Sequence, residues 1–399
     1  MLSLVELSLQ GILGFFLFYL AFLSVLATLA PKKTVKHTSR QRRFAFVVPA
    51  HNEELVIERT VASLRSVDYP PDLFQIFVVA DNCSDQTAQR SEMAGAIVLE
   101  RTNPVERGKG YALEYAFGCV SRMNPPLDAI VVVDADSTVS RQFLRVMNAC
   151  LEEGSGAIQS ADVVEQTVGS WSVEATRIAL LLYNVARPLG RKLIGCSAGL
   201  RGNGMCFSRD VLQTVPWKAF SLTEDLEYGL NLLLHGIPVT FAPDAFVYAT
   251  MPQNSGNAES QRARWETGRF PIIRTYAMKL LAAAIRRRSF ALFDAFIDLV
   301  TPAFVNMIGF ILIIVVIKAI VALTTVGAAG QPLSGWIVIL FAGAIHVVFG
   351  LKAAGEDKLI LKSLRNFPRY VVWKIRLYTI LLFRGFAKEW VRTTRESQQ

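Results

Sequence analysis

An α/β domain with a mostly parallel sheet, joined to apolar helices of bilayer-spanning length, is the fold class that this 399-residue sequence predicts. Short apolar runs alternate with helical stretches between Arg43 and about Thr250. Uncharged runs of membrane length lie towards the two ends, and the hydrophobic fraction of 52% leaves apolar residues beyond those a globular core needs.

The runs Phe44–Val48, Gln75–Val79, Ala96–Leu99 and Ala129–Val133 are near-continuous in apolar residues. Parallel strands buried on both faces have this pattern. Helices are expected between them at Glu53–Ser66, Asp85–Met93 and Gly110–Ser121. In such sheets ligands bind beyond the carboxyl ends of the strands, so the residues that leave each strand matter most. The polar stretch from Gln253, QNSGNAESQ, reads as a loop.

Leu7–Ala30 carries no charge, and a bilayer crossing takes about 20 such residues. It is longer than a signal-peptide core and has no basic region before it. The basic segment PKKTVKHTSRQRR that follows favours the cytoplasmic side. Two further crossings are expected at Phe296–Leu323 and Leu333–Leu351, followed by Lys352, Lys358, Lys362, Arg365 and Arg369. The expected protein is integral to the plasma (inner) membrane, with its N-terminus outside and its catalytic domain and C-terminus cytosolic. Asp298 and Lys318 lie in or near a crossing, where a neighbouring helix would accommodate them.

Arg262–Phe293 and Leu364–Trp390 mix basic and apolar residues, as helices lying in the membrane interface do. The expected divisions are 1–31 (membrane helix), 32–260 (catalytic domain), 261–293 (interface helix), 294–352 (two membrane helices) and 353–399 (cytosolic amphipathic segment). The net charge of +9 collects beside the membrane runs, which suits lipid headgroups and not nucleic acid. Five cysteines without CxxC spacing imply reduced thiols and no zinc site.

The strand ends carry the chemistry. The first is followed by Pro49-Ala-His-Asn-Glu-Glu54 and the second by Asp81-Asn-Cys-Ser-Asp85, where Asp81 would meet a base or ribose. Each alone also reads as an Asx turn or helix cap. The fourth ends in Asp134-Ala-Asp136, two carboxylates that repel unless a cation is near. Mg²⁺ or Mn²⁺ would join them to the phosphates of a nucleotide diphosphate.

Arg107-Gly-Lys-Gly-Tyr111 offers Lys109 to a phosphate or base, or is an exposed basic turn. Thr223-Glu-Asp225 reads as an acidic helix start or as a site in which Asp225 takes an acceptor hydroxyl proton. In Gln261-Arg-Ala-Arg-Trp265 an arginine could hold diphosphate and the indole could stack on a sugar; a basic, aromatic membrane border reads the same way.

In order, PAHNEE, DNCSD, GKGYAL, DAD, TED and QRARW resemble the membrane-bound family 2 glycosyltransferases, the group of cellulose, chitin and hyaluronan synthases and ceramide glucosyltransferases. The resemblance covers about Phe44 to Phe270. It implies a GT-A fold, an inverting single displacement and a nucleotide-sugar donor, usually UDP-linked. It places Pro49, His51, Glu53, Asp81, Lys109, Asp134, Gln261 and Arg264 on the donor, and Asp136 with Asp134 on the metal. It makes Asp225 the base beside Glu224, and puts Asn203 and Trp265 on the acceptor.

The expected activity is transfer of a hexosyl or N-acetylhexosaminyl unit to a lipid or lipid-linked acceptor at the cytosolic membrane face. Three crossings are few for a self-contained polymer channel. A processive polysaccharide synthase working with partner subunits or further copies of the chain is the first alternative, and a non-catalytic nucleotide-sugar-binding scaffold the second.

Overall fold

The structure is a computed structural model and describes residues 2–31, 38, 40–165, 171–250, 255–324, 333–360, 362, 365, 366, 369, 371 and 373. Side chains of residues 2, 3, 172 and 255–267 are outside that description.

Eight strands are described: β1 (Phe44–Ala50), β2 (Phe74–Asp81), β3 (Ile97–Arg101), β4 (Ala129–Val132), β5 (Ser137–Val139), β6 (Ala157–Val164), β7 (Met205–Ser208) and β8 (Val239–Ala249). The first helices are α1 (Leu2–Ala27), α2 (Ile57–Arg65), α3 (Thr87–Met93), α4 (Lys109–Ser121) and α5 (Phe143–Glu152). Then come α6 (Trp171–Leu181), α7 (Arg187–Leu193), α8 (Arg209–Thr214), α9 (Glu224–Leu234) and α10 (Ser255–Arg287). The last are α11 (Phe290–Val300), α12 (Phe304–Thr324) and α13 (Ser334–Ala353).

The chain divides into two compact units, one made of Met1–Pro31, Gly169–Ile194 and Ile297–Gly385, the other of Lys32–Val168, Gly195–Phe296 and Phe386–Gln399. The second holds one sheet in the order β3-β2-β1-β4-β7-β6-β8-β5. The four strands expected from sequence form its parallel side, β3-β2-β1-β4. Beyond β4 the sheet is mixed: β7 runs antiparallel to β4 and β6, β6 parallel to β8, and β5 antiparallel to β8. Phe44, Phe46, Val48, Val78 and Val131 are buried with Ile57, Val61, Leu64, Phe143 and Met147 in one hydrophobic core. Removing such side chains from water stabilises the unit by roughly 1.5–3 kcal/mol each before conformational entropy is counted.

The residues from Ser255 begin α10, where the sequence suggested a loop. Neutral and small polar residues there hide the helical period, and among the described side chains Ile272, Leu280 and Ala284 are the buried apolar residues of the helix.

In the other unit three helices are long and apolar enough to cross a membrane, over Leu4–Ala27, Phe304–Ala322 and Ser334–Ala353. The expected crossing from Phe296 is corrected here: α11 ends at Val300 and α12 starts at Phe304. Pro302 between them lacks the N–H a continuous helix needs and biases Thr301 away from helical backbone. Leu17, Leu20, Ile308, Ile311, Trp336 and Ile339 form the bundle core. Glu6 accepts from Lys318 at 2.5 Å and from the Trp336 indole at 2.8 Å, so the lysine within the apolar helix α12 has a partner.

The sequence reading passed over Gly169–Ile194, which packs with this bundle. A Cβ on Gly190 would lie 2.3 Å from the Leu23 carbonyl oxygen, so α7 and α1 approach at backbone distance. Arg187 and Arg191 bind the Asp298 carboxylate at 2.6 and 3.0 Å.

Candidate active site

Parallel register aligns Pro49 with Val79 and Asp81 with Arg101, so the segments leaving β1, β2, β3 and β4 emerge along one sheet edge. The two turns beyond β1 and β2 lock together. His51 Nδ1–H donates to the Asp81 carbonyl at 2.7 Å, and the Glu53 N–H donates to Thr87 Oγ1 at 2.7 Å. Asn52 and Asn82 take φ of 57° and 52°, a left-handed conformation that asparagine tolerates.

Asp81 is buried, and its Oδ1 accepts from Arg101 at 2.7 Å and from the Asn82 amide at 3.0 Å. The Arg101 guanidinium also lies over Tyr111, whose ring stacks on Phe220 at 4.4 Å. The Asp81 carboxylate is thus held within an aromatic and cationic frame.

Gly108, with φ 113°, turns the chain into α4 so that Lys109 opens the helix. Its Nζ donates to Asp134 Oδ1 at 2.5 Å and to the Gly202 carbonyl at 2.5 Å, and stands 3.7 Å from Glu224 Oε1. A Cβ on Gly202 would lie 3.2 Å from Asp225 Oδ2 and 3.8 Å from Lys109 Nζ, which puts Asp225 in the same cluster. One ammonium therefore stands among the first aspartate of the DAD turn and both acids of TED.

Burial disfavours the charge on Lys109, but Asp134 and Glu224 more than offset this and hold its pKa above the ordinary lysine value. Burial pushes Glu224 up to about 7 against the opposing pull of Lys109. Burial also raises Asp225, against the Leu226 N–H, Lys109 and Arg201. Asp162 on β6 belongs to the same field: burial, then Asp134 and Asp136, lift it well above the ordinary carboxylate range.

Packing brings these pieces together. The Trp217 indole donates to the Gly110 carbonyl at 3.0 Å, and a Cβ at Gly110 would meet the Ala219 carbonyl at 2.3 Å, so the loop before TED lies directly on α4. Thr223 Oγ1 donates to the Gly268 carbonyl at 3.1 Å, which holds α10 against TED less than one turn beyond Trp265. The Gln261, Arg264 and Trp265 side chains lie outside the described residues.

The Asp134 side chain is 37% exposed, and Asp136 Oδ1 accepts from Ser137 Oγ at 3.2 Å. Among the described residues no three His, Cys, Asp or Glu side chains form a metal-holding group. Two carboxylates at a partly open turn would suit a Mg²⁺ or Mn²⁺ ion, a hard cation that takes oxygen ligands. Asn203, expected on the acceptor, is 4% exposed and bonds to the Asp134 N–H and Ser137 Oγ.

Sequence reasoning missed Arg101 and Asp162. Arg101 ends β3, and the rule applied to the other strand exits would have found it. Asp162 lies inside β6 with no motif around it, and its neighbours come from distant segments.

A family model described as "Glycosyltransferase like family 2" matches residues 41–268. The chain is 26% identical over 262 residues to "Probable glycosyltransferase YdaM" of Bacillus subtilis (strain 168), covering 64% of this chain and 61% of that protein. It is 29% identical over 231 residues to "Beta-monoglucosyldiacylglycerol synthase" of Synechocystis sp. (strain ATCC 27184 / PCC 6803 / Kazusa), covering 56% and 47%. The chain thus spans about half to three-fifths of these curated relatives' length. Among solved structures, the mannosyltransferase PcManGT from Pyrobaculum calidifontis in complex with GDP-Man and Mn²⁺ gives a TM-score of 0.57 at 16% identity, covering 92% of this chain and 99% of that one, a likeness of fold.

Proposed function

This chain belongs to glycosyltransferase family 2 and has the GT-A fold, and from that membership we propose that it is an inverting transferase. It moves one sugar from a nucleoside-diphosphate sugar, UDP-linked, to a lipid or lipid-linked acceptor at the cytosolic face of the plasma membrane. The observation that carries this reading is the convergence on Lys109, whose ammonium bonds a donor-side carboxylate, Asp134, and stands 3.7 Å from the acceptor-side Glu224, with Asp225 in the same electrostatic field.

In this reading Asp81 holds the nucleoside, with His51, Pro49 and Glu53 shaping the turn around it. Asp134 and Asp136 hold Mg²⁺ or Mn²⁺, which when bound supplies positive charge to the departing diphosphate. Gln261 and Arg264 complete the donor side and Trp265 the acceptor mouth. Asp225 accepts the acceptor hydroxyl proton as that oxygen bonds to the anomeric carbon and the carbon–phosphate-oxygen bond breaks. A raised pKa suits this role, because a general base near neutrality combines availability with basicity.

The lipid acceptor is supported by α10. Phe270, Met278 and Ile285 are exposed along it together with Arg274, Lys279 and Arg286, a pairing that suits a membrane interface. The three apolar helices suggest membrane association.

The test supplies the full-length chain with radiolabelled UDP-glucose, UDP-N-acetylglucosamine, UDP-galactose or GDP-mannose and a membrane lipid extract. A single labelled lipid from a UDP-sugar is expected. A ladder of products would establish the polysaccharide synthase instead, and donor binding without transfer would establish the scaffold.

A further inference from the structure

Asn203 lies between Gly202 and Gly204, which take φ of 84° and 68°. The chain here presses into the fold: a Cβ at Gly204 would stand 1.8 Å from Ser160 Oγ and 2.6 Å from Val247. Gly204 donates its N–H to the Val132 carbonyl at 2.9 Å and accepts from the Ser160 N–H at 3.1 Å, which stitches the loop to β4 and β6.

From that position the Asn203 side chain reaches both ends of the DAD turn. Its Oδ1 accepts the Asp134 N–H at 3.1 Å and its Nδ2 donates to Ser137 Oγ at 2.9 Å. Ser137 Oγ in turn donates to Asp136 Oδ1 at 3.2 Å. These partners set the amide orientation, since the reverse would put two donors face to face. The middle of the turn is held from the other side, where Thr60 Oγ1 donates to the Ala135 carbonyl at 2.7 Å.

Behind Asn203 stands Gln159, fully buried on β6. Its Nε2 donates to the Asn203 carbonyl at 2.7 Å and its Oε1 accepts the Arg201 N–H at 2.8 Å. The loop is fixed on the strand, and its amide is fixed on the turn.

We infer that Asn203, braced by Gln159 and acting through Ser137, is a positioning residue that presets the Asp134–Asp136 turn for a divalent cation and diphosphate, and is not an acceptor contact. The inference rests on the reading of those two aspartates as the metal pair. Carboxylates two residues apart repel, and beside the charged bond from Lys109 to Asp134 the neutral Asn203 amide fixes the turn without adding further charge. A primary amide both accepts and donates while remaining neutral. Alanine would leave the Asp134 N–H and the Ser137 hydroxyl without these partners.

The experiment measures Mn²⁺ binding to the full-length chain by electron paramagnetic resonance with UDP and GDP both present. Wild type is compared with Asn203→Ala and Ser137→Ala, and thermal unfolding is recorded for each. Losing an orienting partner of a metal ligand typically weakens metal binding by about 10–100-fold, and both folded variants are expected in that range. Their KM for acceptor is expected to stay at the wild-type value. Unchanged Mn²⁺ binding, or a raised acceptor KM alone, would overturn the proposal. If Asn203→Ala does not fold, Ser137→Ala decides. Failure of wild type itself to bind Mn²⁺ would remove the metal reading, and this inference with it.

Discussion

The ammonium of Lys109 and the carboxylate of Asp134 are joined at 2.5 Å, although 25 residues separate them in the chain. The same nitrogen donates to the Gly202 carbonyl, so one side chain ties the DAD turn to the glycine loop beside Asp225. Lys109→Ala should lower kcat/KM by about 100-fold or more, on the scale seen when one preorganised charge-stabilising donor is removed. Lys109→Arg should not restore it, because a planar guanidinium cannot occupy the place of a compact ammonium. Steady-state kinetics on both substrates checks this.

Asp225→Asn keeps the shape of the side chain and removes its basicity. A fall in kcat of roughly 100- to 10,000-fold is expected, with donor KM near wild type, as for the loss of a general base. Transfer that continues at the wild-type rate would take the base role away from Asp225.

Glu224 carries a pH signature. Its folded pKa, pushed up to about 7 by burial against the pull of Lys109, lies above the ordinary value of 4.5. The fold therefore holds this proton more tightly than the unfolded chain does. The associated stability is fully present below pH 4.5 and is lost as pH rises through about 7. The melting temperature of the metal-free protein should fall across that interval, and Glu224→Gln should flatten the fall. A wild-type slope retained by Glu224→Gln would contradict this.

Chelation tests the aspartate pair. Transfer should stop in excess EDTA and return with Mg²⁺ or Mn²⁺, because Asp134 and Asp136 without a cation have only repulsion to offer a diphosphate. Undiminished transfer in the chelator would refute the metal role of both residues.

Asp298 tests the other unit. It lies between Arg187 and Arg191, and all three side chains are less than 10% exposed. Asp298→Ala should destabilise the protein by about 3–5 kcal/mol, since it strips buried guanidinium groups of a carboxylate. Denaturant unfolding in detergent measures the loss, and a change under about 1 kcal/mol would refute it.

What could be read before folding follows from short-range physics. The runs ending at Val48, Val79 and Val133 are legible as strands because strands buried on both faces must be apolar throughout, whereas β3, at the sheet edge, keeps Ile97 exposed and Val98 and Leu99 half-buried. Three runs announce helices able to cross a membrane through length and apolar composition alone. The mixed half of the sheet is less legible, because β7 has four residues and its partners β4 and β6 are distant in sequence.

The sequence by itself thus determined the family, the parallel half of the sheet and the residue types at the strand exits, all of which are local patterns in a defined order. Tertiary structure decided what those residues do to one another. Gly-Asn-Gly is an ordinary turn until β6 and the DAD turn close around it, and Arg101 is an ordinary strand end until register sets it against Asp81. Lys109 has no assigned partner until α4, β4 and the Gly202 loop meet. Hydrogen bonds and ion pairs act over a few ångströms in space, and only the folded chain brings residues so far apart in sequence within that distance.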